Sequence, residues 1–234
     1  MRRRKLREDL PVSRIVNLNM EKYNSILELF QVETPVGYTK EEVEKAKAAI
    51  GDLPSELEKF YLYCGKSPEL QHLQDDLMLP GKYPALLDPD YIVIFNENQG
   101  VCQAAVKKSE ISLDDPPVYT SIDDGEWTLS SPHVSEFLKA MFDYQASIVL
   151  DFNPEDFFFV TEEEKAKIES LFPKLGSFNG WLYTWKVTVY GENGIRIALM
   201  ENEDGGDIQM NYAANNQEDF DKVTAMLDGI GEPM

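Results

Sequence analysis

The stretch SPHVSEFLKAMFDYQ, residues 131–145, constrains the fold more than any other part of the chain. Val134, Phe137, Leu138, Met141 and Phe142 recur at helical spacing and build a full apolar face, which only burial against other elements can satisfy. Ser131 is placed to cap this helix and Pro132 to start it. On either side lie runs of neighbouring strands. YIVIF at 91–95, VCQAAV at 101–106 and PVYTSI at 117–122 come before it. WLYTWKVTVY follows at 181–190, reading as one strand with Trp181, Tyr183, Trp185, Val187 and Val189 on one face. Asn193-Gly194 is a hairpin signal, Ile195, Ile197 and Leu199 continue the alternation, and DIQMNYAA supplies a further strand. Strands that run together, with helices kept apart from them, predict an α+β fold with a strand-rich C-terminal extension.

The remaining helices carry their own punctuation. MEKYNSILELFQ sets Tyr23, Ile26, Leu27 and Phe30 on one stripe. Thr39 and Glu42 form a capping-box pattern ahead of a helix that stops at Gly51, and Thr161 and Glu164 repeat the device. Pro54 opens the next helix, whose stripe of Leu57, Phe60, Tyr61 and Cys64 makes Cys64 a core residue. QEDFDKVTAML closes the chain. The predicted organisation is a basic arm and helix over 1–38, an α+β core over 39–147, and a C-terminal block over 148–234 of helix, hairpin, third strand and closing helix. That last block either extends the core sheet or forms a separate lobe.

Charge narrows the partners. Acidic residues outnumber basic ones 42 to 22, and residues 1–14 hold six of the bases against two acids. The remaining chain therefore sets 40 acids against 16 bases, a net of −24. Such a field repels nucleic acid and anionic membranes and speeds encounter with a basic partner. No apolar run reaches the length of a membrane span or follows the basic start as a signal peptide would, and the two cysteines fit a reducing compartment, so the expected location is the cytoplasm.

Catalytic and metal-binding patterns are thin. There are two histidines, His72 and His133, and no nucleophile elbow, phosphate loop or zinc-protease motif. A Cys64–His72 pair fails because a thiol buried in apolar surroundings is inert. MENEDGGDIQM at 200–210 does not meet the spacing of a calcium loop and reads as an acidic turn between strands. The expectation is no enzyme activity, no cofactor and no metal. Trp127 stands apart from the other tryptophans, embedded in loop acids as an anchor at a protein interface would be. Between Glu110 and Glu126 there are six acids and no base. Asp114, Asp115, Asp123, Asp124, Glu126 and Trp127 are the candidate partner contacts.

Four motifs in order carry a family likeness. They are the Leu53-Pro54 helix start, the Glu97-Asn98-Gln99-Gly100 turn, the Asp115-Pro116-Pro117-Val118 segment and the Ser135-Glu136-Phe137-Leu138 helix. This succession, over roughly residues 39–147, resembles the SUKH superfamily, which holds a yeast regulator of cell-wall assembly and many bacterial immunity proteins. The likeness implies helices against a mostly antiparallel sheet, no catalysis, and a role in binding. An immunity protein would neutralise a cognate toxin, such as a basic nuclease, through an acidic surface. A protein-interaction scaffold is the alternative, and a carboxylate-dependent hydrolase a third. On this reading Leu53, Pro54, Pro116, Pro117, Phe137 and the Glu97–Gly100 knot are structural, with Asn98 and Gly100 tolerating a tight turn and the amides of Asn98 and Gln99 serving neighbouring strand ends.

Overall fold

The computed structural model describes residues 21–82, 88–123, 125–154, 156–183, 185–202, 206 and 208–234. It is an α+β structure with two antiparallel sheets and, among the described residues, six α-helices. The basic cluster of residues 2–7 lies outside the described residues.

The helices are α1 (Asn24–Leu29), α2 (Lys40–Ile50), α3 (Ser55–Tyr63), α4 (Val134–Val149), α5 (Glu162–Leu171) and α6 (Gln217–Met226). The first sheet is a meander in sequence order: β1 (Asp76–Leu77), β2 (Tyr91–Asn96), β3 (Cys102–Lys107), β4 (Val118–Ile122) and β5 (Thr128–Ser131). The second holds β6 (Phe158–Val160), β7 (Lys174–Trp181), β8 (Trp185–Tyr190), β9 (Ile195–Asn202), β10 (Ile208–Ala214) and β11 (Glu232–Pro233), in the order β11-β6-β10-β9-β8-β7. Among the described residues, strands after residue 148 thus pair with one another and add none to the first sheet.

Helix α4 joins the two sheets. Eleven of its sixteen residues are buried, because it packs against β7–β10 on one side and meets α1, α3 and the first sheet on the other. Phe142 touches Phe30, Phe60 and Phe95, whereas Phe137 reaches both Phe95 and Phe178. One continuous core therefore runs from Tyr23 to Ala213 and takes side chains from both sheets. The second sheet is covered on its other face too: Ile195, Ile197, Leu199, Met210 and Tyr212 pack with Ile168 of α5 and Val223 of α6 in a second core. That double covering explains why the first six residues of β9 are all buried.

Two buried polar links orient α4. Asp143 accepts a 2.6 Å hydrogen bond from Arg196 Nε on β9 and one of 3.0 Å from Lys139 one turn earlier. Gln145 bonds Asp75 twice, accepting from its backbone N–H at 2.9 Å and donating to its carboxylate at 2.7 Å.

Several local readings change. The capping boxes at Thr39/Glu42 and Thr161/Glu164 form as the spacing predicts. Ser131, by contrast, ends β5 and does not cap α4, which begins two residues later than Pro132. The N-terminus is served from a distance: Asp115 Oδ1 accepts from Ser135 N at 3.0 Å, Oδ2 accepts from the Ser135 hydroxyl, and Pro116 O accepts from Val134 N at 2.9 Å. WLYTWKVTVY is not one strand. Leu182 and Tyr183 both take left-handed backbone angles, so the chain turns there, Trp181 ends β7, and Tyr183 is exposed. Strict alternation cannot distinguish a strand from two strands joined by a tight turn. The centre of the acidic segment at 200–210 lies outside the described residues.

Because α4 belongs to the core of both sheets, the chain is expected to unfold in one step. Phe142→Ala should cost about 3–5 kcal/mol through transfer and cavity terms. Urea unfolding followed by tryptophan fluorescence and far-ultraviolet circular dichroism should give coincident transitions, both displaced to lower denaturant in the variant.

Candidate protein-interaction surface

The two faces of the first sheet differ. Residues directly opposite in an antiparallel pair share a face, and the register sets Phe95 opposite Ala104, then Thr120, then Thr128. This face looks into the core, where Phe95 meets Phe137, Phe142 and Trp181. The other face carries the row Val93, Ala105, Tyr119, Leu129. It begins covered and ends open: Val93 is 1% exposed, Tyr119 is half-buried and Leu129 is 55% exposed.

Trp127 lies on this open end. Its indole stacks on Tyr91 with ring centres 4.5 Å apart and planes 18° apart, and Tyr91 meets Tyr119 edge-to-face at 5.9 Å. The three half-buried rings form a strip with Leu129 beside it, opposite Tyr119 in the β4–β5 register. Tyr119 donates its hydroxyl proton to Glu110, so that part of the strip is held in place by an acid.

The acids around the strip have different fates. Asp114, Asp123 and Glu126 are exposed, and Asp123 holds a left-handed backbone at the end of β4. Asp115 is committed to capping α4 and its carboxylate is spent there. Asp124 lies outside the described residues. Some acids elsewhere are paired with lysines: Lys47 serves Glu44, Asp52 and Glu58, Lys66 serves Glu42, Lys165 serves Glu162 and Glu201, and Lys222 serves Glu192. Among the described residues, no ion pair engages Glu110, Asp114, Asp123 or Glu126.

The sequence pointed to Trp127 and its acids but missed Tyr91, Tyr119 and Leu129 as their companions. Tyr119 was visible in principle, since it sits out of phase with the buried Val118 and Thr120 of β4. Leu129 was not, because TLSS is short and poor in strand formers and gave no signal for β5.

The Glu97–Gly100 knot is the hairpin between β2 and β3. Glu97, and not the amides of Asn98 and Gln99, does the fixing: its buried carboxylate accepts from Gln99 N at 2.9 Å and Val101 N at 3.2 Å, while Gly100, at φ +78°, donates to Glu97 O. Gly100 is needed for that positive φ. The turn is tied to the interior through Asp75, whose carboxylate accepts from Asn98 N, Gln145 Nε2 and Trp181 Nε1. Burial raises the Asp75 carboxyl to about 6, with the nearby Glu97 charge adding to the rise and the hydrogen bonds opposing it.

Of the chemistry weighed in the sequence, Cys64 is fully buried and burial pushes its thiol up to about 12, while His72 is exposed. His72 lines a cavity of about 230 Å³ with Glu69 and Asp151, and among the described residues no hydrogen bond links it to either acid. No group of three or more potential ligands among the described residues could hold a metal ion, and none of the described helices is long and apolar enough to cross a membrane. His133 precedes α4, with its ring at 3.0 Å from Asp115 O.

No protein-family model, curated protein or solved structure matches the chain. The four motifs singled out in the sequence each have a local structural role: Leu53 and Phe137 are buried, Pro54 precedes α3, Glu97 fixes a turn, and Asp115-Pro116 caps α4.

Asp75 makes stability depend on pH with a definite sign. A carboxyl raised in the folded state keeps its proton where the unfolded chain has lost it, so stability falls as pH rises from about 4 to about 6 and is level above that. The loss from this group is on the order of 2–3 kcal/mol and should vanish in Asp75→Asn. Urea titrations of both proteins at pH 4.5 and 7 isolate it as the difference in their pH dependence.

Proposed function

We propose that the chain is a non-catalytic binding protein that holds a basic protein partner on the Tyr91–Tyr119–Trp127–Leu129 strip, as an immunity protein holds the toxin it neutralises. The observation that carries this reading is the stacked, half-buried aromatic strip on the open end of a sheet face, with exposed acids beside it that form no ion pair among the described residues. Aromatic anchors supply the contact area of an interface, and a tryptophan held by stacking gives up little freedom on binding. The surrounding carboxylates steer a cationic surface towards the strip and set its orientation. A toxin that acts on phosphates presents such a surface, and an acidic cover fills its groove without any bond being made or broken. The order of the SUKH-like motifs supports the same class of activity.

The test is binding to the product of the adjacent open reading frame, measured by calorimetry and stopped-flow association. Trp127→Ala should weaken the complex by 2 kcal/mol or more, roughly 30-fold, as the central anchor of an interface does. Asp123→Lys with Glu126→Lys should mainly slow association and reduce its salt dependence. Melting curves of the free variants separate lost contact from lost fold. Unchanged affinity in both variants would remove this surface from the reading, and an adjacent product with no affinity for the chain would remove the toxin partner.

A further inference from the structure

The chain holds six arginines, and they are unevenly placed. Arg196 is buried against Asp143 of α4. The other five, Arg2, Arg3, Arg4, Arg7 and Arg14, lie within the first fourteen residues together with Lys5, and every base between Arg14 and Arg196 or beyond it is a lysine. Residues 1–20 lie outside the described residues.

Arginine and lysine differ in what they recognise. A guanidinium is planar, stacks on aromatic faces and meets carboxylates through two parallel hydrogen bonds, whereas an ammonium acts as a hydrated point charge. Among aromatic rings the indole attracts a cation most strongly. A segment rich in arginine therefore fits a surface that sets a tryptophan among carboxylates, and the open end of the first sheet's outer face is such a surface. Trp127 is held by its stack on Tyr91 and stays half-buried, with Asp123 and Glu126 exposed on the same hairpin. Neither acid makes an ion pair among the described residues. In the register Lys107 stands opposite Tyr91, and from Glu110 to Glu126 the chain holds no base, so the hairpin side of the strip is the side open to a cation.

The length of the segment permits the contact. Helix α1 packs on α4 through Phe30 and Phe142, on the side of the first sheet's inner face, so residues before it have to pass an edge of that sheet to reach the strip. Arg7 stands fourteen residues before residue 21, a stretch that spans up to roughly 46 Å. A globular chain of this size has a radius of gyration of about 17 Å, which leaves the strip within reach. We infer that the arginine-rich segment, residues 2–14, docks on the strip of its own chain, with guanidinium groups against the Trp127 ring and the carboxylates of Asp123 and Glu126. The inference rests on the strip that the proposed function gives to a basic partner, and it adds regulation: the arm stands in for the partner and is displaced when the partner binds. The net charge of −24 on the rest of the chain favours this contact over capture of nucleic acid or an anionic membrane by the same arginines.

Leu6→Cys places one accessible thiol in the arm, because Cys64 and Cys102 are both buried. A nitroxide attached there in the full ¹⁵N-labelled chain is read by paramagnetic broadening, with the reduced label as reference. At low salt the Trp127 indole N–H and the Gly125 and Leu129 amides should lose most of their intensity, while the amides of α5 and α6, which cover the second sheet, keep theirs. At about 1 M salt, where the Debye length falls to about 3 Å, the intensity should return. Asp123→Asn with Glu126→Gln should restore it at low salt too; Asn suits the left-handed backbone at 123, and the same spectra report that the fold is kept. A mixture of ¹⁵N chain without nitroxide and spin-labelled chain without ¹⁵N should show no broadening. Broadening in that mixture would give the contact to a second copy, and equal broadening over α5 and α6 would reduce it to unspecific attraction. Either result, or full intensity at Trp127, persistence in high salt, or indifference to the neutral variant, overturns the inference. None of these measurements uses the partner, so the arm can fail to dock while the partner still depends on Trp127, and the reverse.

Discussion

A helix buried on most of its circumference must still place its polar side chains, and α4 does so with Asp143 and Gln145. Asp143 is pinned to the second sheet by Arg196, and Gln145 to the first sheet's approach by Asp75. Neither link needs to add net stability, because desolvating charges costs about what their attraction returns. Their effect is to set one rotation and one depth for the helix, since any other arrangement strands a buried charge, a penalty of about 3–5 kcal/mol. The apolar contacts of Phe137 and Phe142 then fall into place on both sides. The aromatic strip depends on this indirectly: α4 carries the inner face of the first sheet, and only a sheet so supported can leave one end of its outer face open.

The distribution of charge follows from the same division. Asp143 on α4, Asp52 after α2 and Glu201 against α5 meet lysines or arginine, so the excess of negative charge is not spread evenly. It collects where pairing is absent, and the β4–β5 hairpin with the loop before it is one such place. A patch of unpaired acids opposes folding through mutual repulsion, although solvent keeps the cost of exposed charges small. Apolar rings among them make the patch unlike an ordinary solubilising surface, which has no use for half-buried aromatics on an open sheet face.

Local signals in the sequence were reliable where the physics is local. Both capping boxes, the Asn193-Gly194 hairpin and the buried stripe with Cys64 depend on residues a few positions apart, and they formed. The failures share a cause. Asp115 caps α4 from twenty residues away, the carboxylate of Glu97 replaces the expected amides only because the turn is folded over it, and the split of WLYTWKVTVY depends on β7 finding β8 as a partner. The division into two sheets was likewise invisible, because alternation reports which residues face inwards and not which strands pair. Trp127 was legible as an aromatic among acids, but its stack on Tyr91 joins residues thirty-six positions apart.

That stack changes what the tryptophan signifies. An indole folded onto a sheet and an indole presented to a partner are usually opposed readings, yet here one face of the ring packs on Tyr91 while the residue remains half-exposed. Packing fixes the orientation, and fixed orientation is what lets an exposed aromatic bind without first giving up its freedom. The acids beside it are in the reverse condition, exposed and unpaired, and so are free to adapt to whatever cations approach. A rigid apolar centre with an adaptable charged rim is the division of labour that interfaces employ. On this chain the rings and the acids are brought together from a strand start, a strand middle and a hairpin that have nothing in common in sequence.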